Sequence, residues 1–163
     1  MRAAKILRGV ADVLERAEHL AIRVLSLGLI VVVFGGVLLR YIFRIPLVWG
    51  EELAMFAFIW LAFLSAGVAV RRQGHFRMSA LIEYLPGRPR MFIEVGTVLL
   101  MGVLTLVLGW QGFSLAASGL AEQSPGLRVS MIWVYAVIPV SALSMLVFLF
   151  ETLLVGPPPK DGA

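Results

Sequence analysis

The chain has 163 residues, of which 60% are hydrophobic and 15% charged, and its mean hydropathy is +0.94. Soluble domains average about 45 to 50% apolar and about 25% charged residues, so this composition excludes an ordinary soluble domain. A membrane-spanning helix needs about 20 mainly apolar residues, so the length accommodates four spans and argues against a full-size transporter. The net charge of +4 is typical of a membrane protein with basic cytoplasmic loops, and we predict no binding to nucleic acid.

Residues 1–19 carry charges throughout and lack the apolar stretch of a secretory signal. Their pattern predicts an amphipathic helix that lies in the interface with membrane lipid. The alternative is a solvated extension of the first span. At helical spacing the residues form an apolar face and a charged face: Ile6, Val10, Val13, Leu14 and Ala17 on the first, and Lys5, Arg8, Asp12, Glu15 and Arg16 on the second.

The first two membrane spans are predicted at 20–43 and 47–71. In the first span no charge occurs between Arg23 and Arg40, which are 17 positions apart. This separation corresponds to about 25 Å of helix, so the two arginines can reach opposite headgroup layers. In the second span, acids at the start and an arginine at the end match the helix dipole.

The third and fourth spans are predicted at 91–118 and 129–154. The polar connection from 71 to 90 is predicted to contain a short interfacial helix, because its apolar residues recur at near-helical spacing. Pro139 lies inside the fourth span, where neighbouring helices or side chains must satisfy the carbonyl that loses its hydrogen bond. The sequence therefore predicts an all-α integral membrane protein that forms a single membrane domain over 1–163.

Positive charge is distributed unevenly between the two sides of the predicted bundle. Lys and Arg are concentrated in cytoplasmic loops of membrane proteins, so the side with more of them is predicted to be cytoplasmic. Both termini and the middle connection are on that side. It has eleven basic residues, namely Arg2, Lys5, Arg8, Arg16, Arg23, Arg71, Arg72, Arg77, Arg88, Arg90 and Lys160, whereas the other side has three, namely Arg40, Arg44 and Arg128.

The sequence contains no recognisable catalytic motif. It lacks a G-x-x-x-x-G-K-[ST] phosphate loop, an H-E-x-x-H metal motif, a G-x-S-x-G elbow and any cysteine. We therefore predict no enzyme activity, no catalytic residue, no metal site and no cofactor. The centres of the four spans contain no ionisable residue, so we predict no coupling-ion site within this chain.

Two patterns indicate helix association instead. Small residues recur along one face of the third span, which lets another helix approach closely, either from the same chain or from a partner. We call this face the small-residue seam; its members are Gly102, Thr105, Gly109, Gly112, Ala116 and Gly119. At the start of the second span, Glu51 and Glu52 stand beside aromatic residues. These acids either belong to an aromatic belt at the helix start or pair with a basic residue of a partner subunit.

The residues that carry a family resemblance lie mostly in and around the second span. They are Pro46-Leu47-x-Trp49-x-Glu51-Glu52-Leu53, then Trp60, then Arg71 and His75, and finally Trp133-x-Tyr135 with Pro139. This order resembles the small permease subunit of tripartite ATP-independent periplasmic (TRAP) transporters, the DctQ-like family, over nearly the whole chain. Two positions depart from the family pattern: Ser65 replaces a usual glycine, and Ser79 replaces a common acid.

The resemblance implies a multi-pass protein of the bacterial inner membrane that works with two partners, a large DctM-like permease subunit and a periplasmic solute-binding protein. It implies sodium-coupled uptake of organic acids such as C4-dicarboxylates or sialic acid, with the large subunit as translocator and this chain as scaffold. The residues expected at or near the large-subunit interface are Trp49, Glu51, Glu52, Trp60, Arg71 and His75. The alternative function is a self-sufficient, homodimeric four-span exporter of the small multidrug-resistance type.

Overall fold

The computed structural model describes residues 2–45, 47–82 and 88–155, with the backbone alone at 3, 48, 73–82 and 88–95. Its helices are α1 (Arg2–Tyr41), α2 (Val48–Ile82), α3 (Arg88–Ser118), α4 (Ile132–Tyr135) and α5 (Val137–Leu154). The predicted all-α membrane fold is confirmed, because four stretches are long and apolar enough to cross a membrane. These stretches are Ala4–Tyr41, Trp49–Arg72, Gly96–Ser118 and Ile132–Leu154.

The N-terminal segment is part of one continuous helix, so the separate interfacial helix expected at 1–19 is not observed. The first proline of the sequence is Pro46, and nothing before it removes a helical hydrogen bond near residue 19. Within α1, Glu18 is buried whereas Val13 is exposed. The N-terminal half of α1 therefore turns part of its charged face toward the rest of the bundle.

Helices α2 and α3 extend beyond their predicted spans into the connection between them. The second span was expected to end at residue 71, but α2 continues to Ile82 and takes in part of the predicted interfacial helix. Helix α3 begins at Arg88 and ends at Ser118, where the third span was predicted to end. Proline is tolerated in the first turn of a helix, which explains how Pro89 fits next to Arg88.

The fourth span is divided into α4 and α5 by a turn at Ala136. Pro139 has no backbone N–H to donate to the carbonyl of Tyr135, and its ring crowds that carbonyl. The backbone hydrogen bonds on either side remain, from Ala136 N to Ile132 O and from Val140 N to Ala136 O. The proline thus explains a local break in a span that nevertheless continues to Leu154.

Helix α5 is the central helix of the bundle and packs against α1, α2 and α3, while α1 packs mainly on α2. The core is apolar along most of its length and consists mainly of aliphatic side chains. Its buried hydrophobic members include Leu64, Val68, Ala116, Val134, Val137, Ala142, Met145, Phe148 and Leu149. The outer faces of α1 and α3 are also apolar but exposed, and no residue from 19 to 45 is buried.

Candidate functional site

The most deeply buried polar contact joins α2 to α5. Arg71 near the end of the apolar part of α2 is 1% exposed, and Glu151 near the end of α5 is fully buried. The guanidinium binds the carboxylate with two parallel hydrogen bonds, in which Nε donates to Oε2 and Nη2 donates to Oε1, each at 2.9 Å. This two-point geometry is the strong form of an arginine–carboxylate pair.

The other three N–H groups of Arg71 reach across to α1. Nη1 donates to the carbonyl oxygen of Ala11 at 3.1 Å and to Glu15 Oε2 at 2.5 Å, and Nη2 donates to Asp12 Oδ1 at 2.5 Å. All five N–H donors of the guanidinium are therefore used. The ring of Phe148 lies under its central carbon at 5.4 Å, within the range of a cation–π contact.

We call Arg71, Asp12, Glu15 and Glu151 the arginine cluster, and it fastens three helices at one end of the bundle. Arg72 extends the cluster at the surface, where Nε donates to Glu15 and Nη2 contacts the His19 ring. Arg71 was predicted as an interface residue from the sequence, but its pairing with Glu151 and with α1 was not predicted. The sequence feature that could have predicted the contact with α1 is the spacing of its acids, because Asp12 and Glu15 lie about one helical turn apart.

At the opposite end of the bundle, Glu52 fastens the loop between α3 and α4 to the start of α2. Its Oε1 accepts a hydrogen bond from Gly126 N and its Oε2 accepts one from Leu127 N, each at 2.8 Å. We call this contact the loop clamp. Trp60, two turns further along α2, donates from Nε1 to the carbonyl oxygen of Trp133 at 3.0 Å. Both residues, predicted at a partner interface, thus have partners within this chain.

The remaining predicted interface residues of α2 lie at the surface. Trp49 is 48% exposed, and Glu51 is exposed and pairs with Arg40 at the end of α1. Beside this pair is a cavity of about 290 Å³ between α1 and α2, with mainly aliphatic walls. The side chain of His75 lies outside the described residues, so its predicted place at the interface remains a prediction.

The small-residue seam of α3 faces α4 and α5 of the same chain over most of its length. A Cβ atom built on Gly112 would lie 2.5 Å from Cγ2 of Ile138, and one built on Gly119 would lie 2.8 Å from the Tyr135 ring. Thr105 and Ala116 are buried on the same face, whereas Gly102 meets nothing within 4 Å. The close approach of α3 to α4 and α5 therefore requires glycine at two of these positions. Of the two alternatives left open by the sequence, a helix of the same chain or a helix of a partner, this packing corresponds to the first.

These features define the class of protein: a small, multi-pass membrane protein whose polar groups fasten its own helices to one another. Among the described residues, no three His, Cys, Asp or Glu side chains form a group that could hold a metal ion. The family model for tripartite ATP-independent periplasmic transporters, DctQ component, matches residues 29–156. The chain belongs to this family, which confirms the resemblance drawn from its second span.

Similar proteins of known description support the same assignment. The chain is 29% identical over 158 residues to a putative TRAP transporter small permease protein of Haemophilus influenzae, covering 90% of this chain and 98% of that protein. It is 31% identical over 125 residues to the sialic acid TRAP transporter permease protein SiaT of the same species. It is also 31% identical over 108 residues to the isethionate TRAP transporter permease protein DctMQ of Oleidesulfovibrio alaskensis.

Coverage differs sharply among these relatives. The matches include 72% and 65% of this chain but only 20% and 17% of SiaT and DctMQ, so the chain spans about a fifth of the length of those two permeases. The relatives are membrane subunits of transporters, so this chain is a transporter subunit of the bacterial inner membrane and not an enzyme.

Proposed function

We propose that this chain is the small subunit of a sodium-coupled, binding-protein-dependent transporter of organic acids, and that it acts as a scaffold for a large DctM-like subunit. In SiaT and DctMQ, the region similar to this chain is part of a permease about five times as long. A shared chain implies that the two portions lie together in the membrane. We propose that this chain and a separate large DctM-like subunit associate in the same way.

The observation that carries the scaffold role is the position of the two polar fastenings. The arginine cluster holds α1, α2 and α5 together at one end, and the loop clamp holds α2 to the α3–α4 loop at the other. Between them the core consists mainly of buried aliphatic side chains. A bundle fastened at both ends is suited to remain static while a separate subunit moves the substrate.

The excess of basic residues on one side supports an orientation with both termini in the cytoplasm. In this orientation the arginine cluster lies at the cytoplasmic boundary. The loop clamp and the α3–α4 loop then lie at the periplasmic boundary, on the side from which a solute-binding protein would approach.

Exposure divides the predicted interface residues into two groups. Trp49 and Glu51 are exposed at the start of α2, and we propose that they contact the large subunit directly. Glu52, Trp60 and Arg71 bind partners within the chain, so we propose that they support the interface by holding α2 in position.

The scaffold role can be tested by locking the bundle with a disulfide. The native chain contains no cysteine, and a Cβ built on Gly109 would lie 3.4 Å from Cβ of Ala142. Disulfides join Cβ atoms about 3.5 to 4.5 Å apart, so the double variant Gly109→Cys/Ala142→Cys should form a bond between α3 and α5 with little movement.

The assay is substrate uptake into proteoliposomes that contain this chain, the large subunit and a sodium gradient, with the binding protein outside. We expect oxidation of the double variant to leave uptake within about twofold of the reduced sample. The disulfide prevents movement of α3 relative to α5, and a static scaffold makes no such movement during transport. Each single-cysteine variant serves as control. Loss of uptake that a reducing agent restores would show that this bundle itself moves during transport.

The interface is tested with two exposed tryptophans on different helices. Trp49 on α2 is 48% exposed and Trp110 on α3 is 80% exposed. We expect Trp49→Ala to reduce the amount of large subunit recovered with the tagged chain, whereas Trp110→Ala should not. The opposite result would move the interface to α3. Uptake that persists without a sodium gradient would contradict sodium coupling while leaving the scaffold role intact.

A further inference from the structure

A second buried acid lies next to the arginine cluster but takes no part in it. Glu18 of α1 is 5% exposed, and both of its carboxyl oxygens are sealed from solvent. Neither oxygen has a hydrogen-bond partner among the described residues. A Cβ built on Gly67 of α2 would lie 3.3 Å from each oxygen, so the glycine provides the space that the carboxyl group occupies.

In the part of the chain that the structure describes, no basic side chain forms an ion pair with this acid. Glu18 lies three residues beyond Glu15, and Gly67 lies four residues before Arg71, which places the Glu18 carboxyl group about one helical turn away from the cluster. All five donors of Arg71 are already used by other acceptors. The three carboxylates of the cluster already outnumber Arg71 and the adjoining Arg72. The charged and titratable groups that form ion pairs in this part of the bundle are Asp12, Glu15 and His19 on α1, Arg71 and Arg72 on α2, and Glu151 on α5.

The polar neighbour of Glu18 on α5 is Ser144, which is also buried. The Ser144 hydroxyl donates its one hydrogen to the carbonyl oxygen of Val140 at 3.1 Å. While the hydroxyl keeps this bond, it presents only lone pairs toward Glu18. An ionised carboxylate likewise has only acceptor lone pairs, so the two groups would repel each other in a site closed to bulk solvent. An unpaired buried carboxylate is also costly in itself.

We propose that Glu18 is a proton-binding site, in which its carboxyl group carries a proton and donates that proton in a hydrogen bond to the Ser144 oxygen. The proton comes from bulk water and no other bond changes. This one hydrogen gives the Glu18 carboxyl group and the Ser144 oxygen a hydrogen-bond partner. The bond joins α1 to α5 about one helical turn away from the arginine cluster. Loss of the proton would place an unpaired negative charge beside Glu15 and weaken the contact of α1 with the bundle.

The test is infrared spectroscopy of the full-length chain in lipid nanodiscs at neutral pH. A protonated carboxyl group has a C=O stretching band that ionised carboxylates lack. We expect this band in the native chain, its loss in Glu18→Gln, and its retention in Glu122→Gln, which changes an exposed acid in the α3–α4 loop. Ser144→Ala removes the acceptor, so it should keep the band but shift it to the frequency of a carboxyl group without a hydrogen bond.

Absence of the band from the folded native chain at neutral pH would overturn the proposal, and so would a band that persists in Glu18→Gln. An unshifted band in Ser144→Ala would overturn the assignment of Ser144 as acceptor. Should Glu18→Gln fail to fold, a pH titration of the native chain decides the question. The proposal requires the band to disappear as the pH rises and the thermal unfolding midpoint to fall over the same pH range. A midpoint independent of pH would contradict it.

Discussion

The contact between Arg71 and Glu151 should be the strongest single fastening in the bundle, and removing one partner should be severely destabilising. In Arg71→Met, Glu151 remains fully buried without its cation. In Glu151→Leu, Arg71 remains buried with two of its five donors unpaired. Breaking a buried ion pair in this way costs about 3 to 5 kcal/mol. We expect each single variant to lose this much free energy of unfolding, or about two to nearly four orders of magnitude in the folding equilibrium.

The double variant Arg71→Met/Glu151→Leu should recover most of that loss. Replacing both members of a buried pair by apolar residues of similar volume is often neutral or stabilising, because no charge remains to be desolvated. The acids left on α1 have other means of solvation: Asp12 is exposed, and Glu15 keeps its hydrogen bond from Arg72. The double variant is therefore expected within about 1 to 2 kcal/mol of the native chain.

The assay is reversible unfolding of the full-length chain in mixed micelles, followed by tryptophan fluorescence. Arg44→Met is the matched control, since it removes an exposed arginine in the connection that follows α1 and should change the free energy of unfolding by less than about 0.5 kcal/mol. Single variants as stable as this control would refute the claim that the pair holds the helices together. A double variant no more stable than the weaker single variant would show that the charges themselves are required.

Two further predictions concern α3 and the α3–α4 loop. Gly112→Ala should destabilise the bundle by about 1 to 3 kcal/mol, because the new methyl group overlaps Ile138, whereas Gly102→Ala, which meets nothing within 4 Å, should be tolerated. Equal unfolding midpoints for the two variants would contradict this packing. Glu52→Ala removes the acceptor of two loop amides, and hydrogen bonds accepted by a charged group are stronger than those between neutral groups. Amide hydrogen exchange in the loop should then accelerate, unlike in the control Glu122→Ala, and unchanged exchange would exclude the loop clamp.

The family could be assigned from the sequence because its distinctive residues are close together. The motif from Trp49 to Glu52, followed by Trp60 and Arg71, lies within one span, so their order is visible without any knowledge of packing. The same residues illustrate the limit of that approach. Glu52 and Trp60 were expected at a partner interface, yet each has a partner within this chain that is more than 70 positions away.

The N-terminal segment shows why local pattern was not sufficient. Its apolar and charged faces fit an interfacial helix. The hydrophobic pattern of residues 1–19 does not show, however, which other helices lie beside them. The buried Arg71 supplies that information, since a guanidinium withdrawn from water must be given acceptors and α1 carries them at Asp12 and Glu15. The charged face of α1 consequently turns inward at the level of the cluster.

By itself the sequence determined the number of membrane helices and the family, because these depend on runs of apolar residues and on motifs that are local along the chain. Only the tertiary structure decided that the seam of α3 lies against α4 and α5, that Arg71 joins three helices, and that Glu18 is buried without a partner. The physical reason is that the effect of a buried charge or of a glycine on stability depends on which groups lie next to it in space. Those neighbours are 16 to 126 residues away in the sequence, from Gly119 and Tyr135 to Glu18 and Ser144.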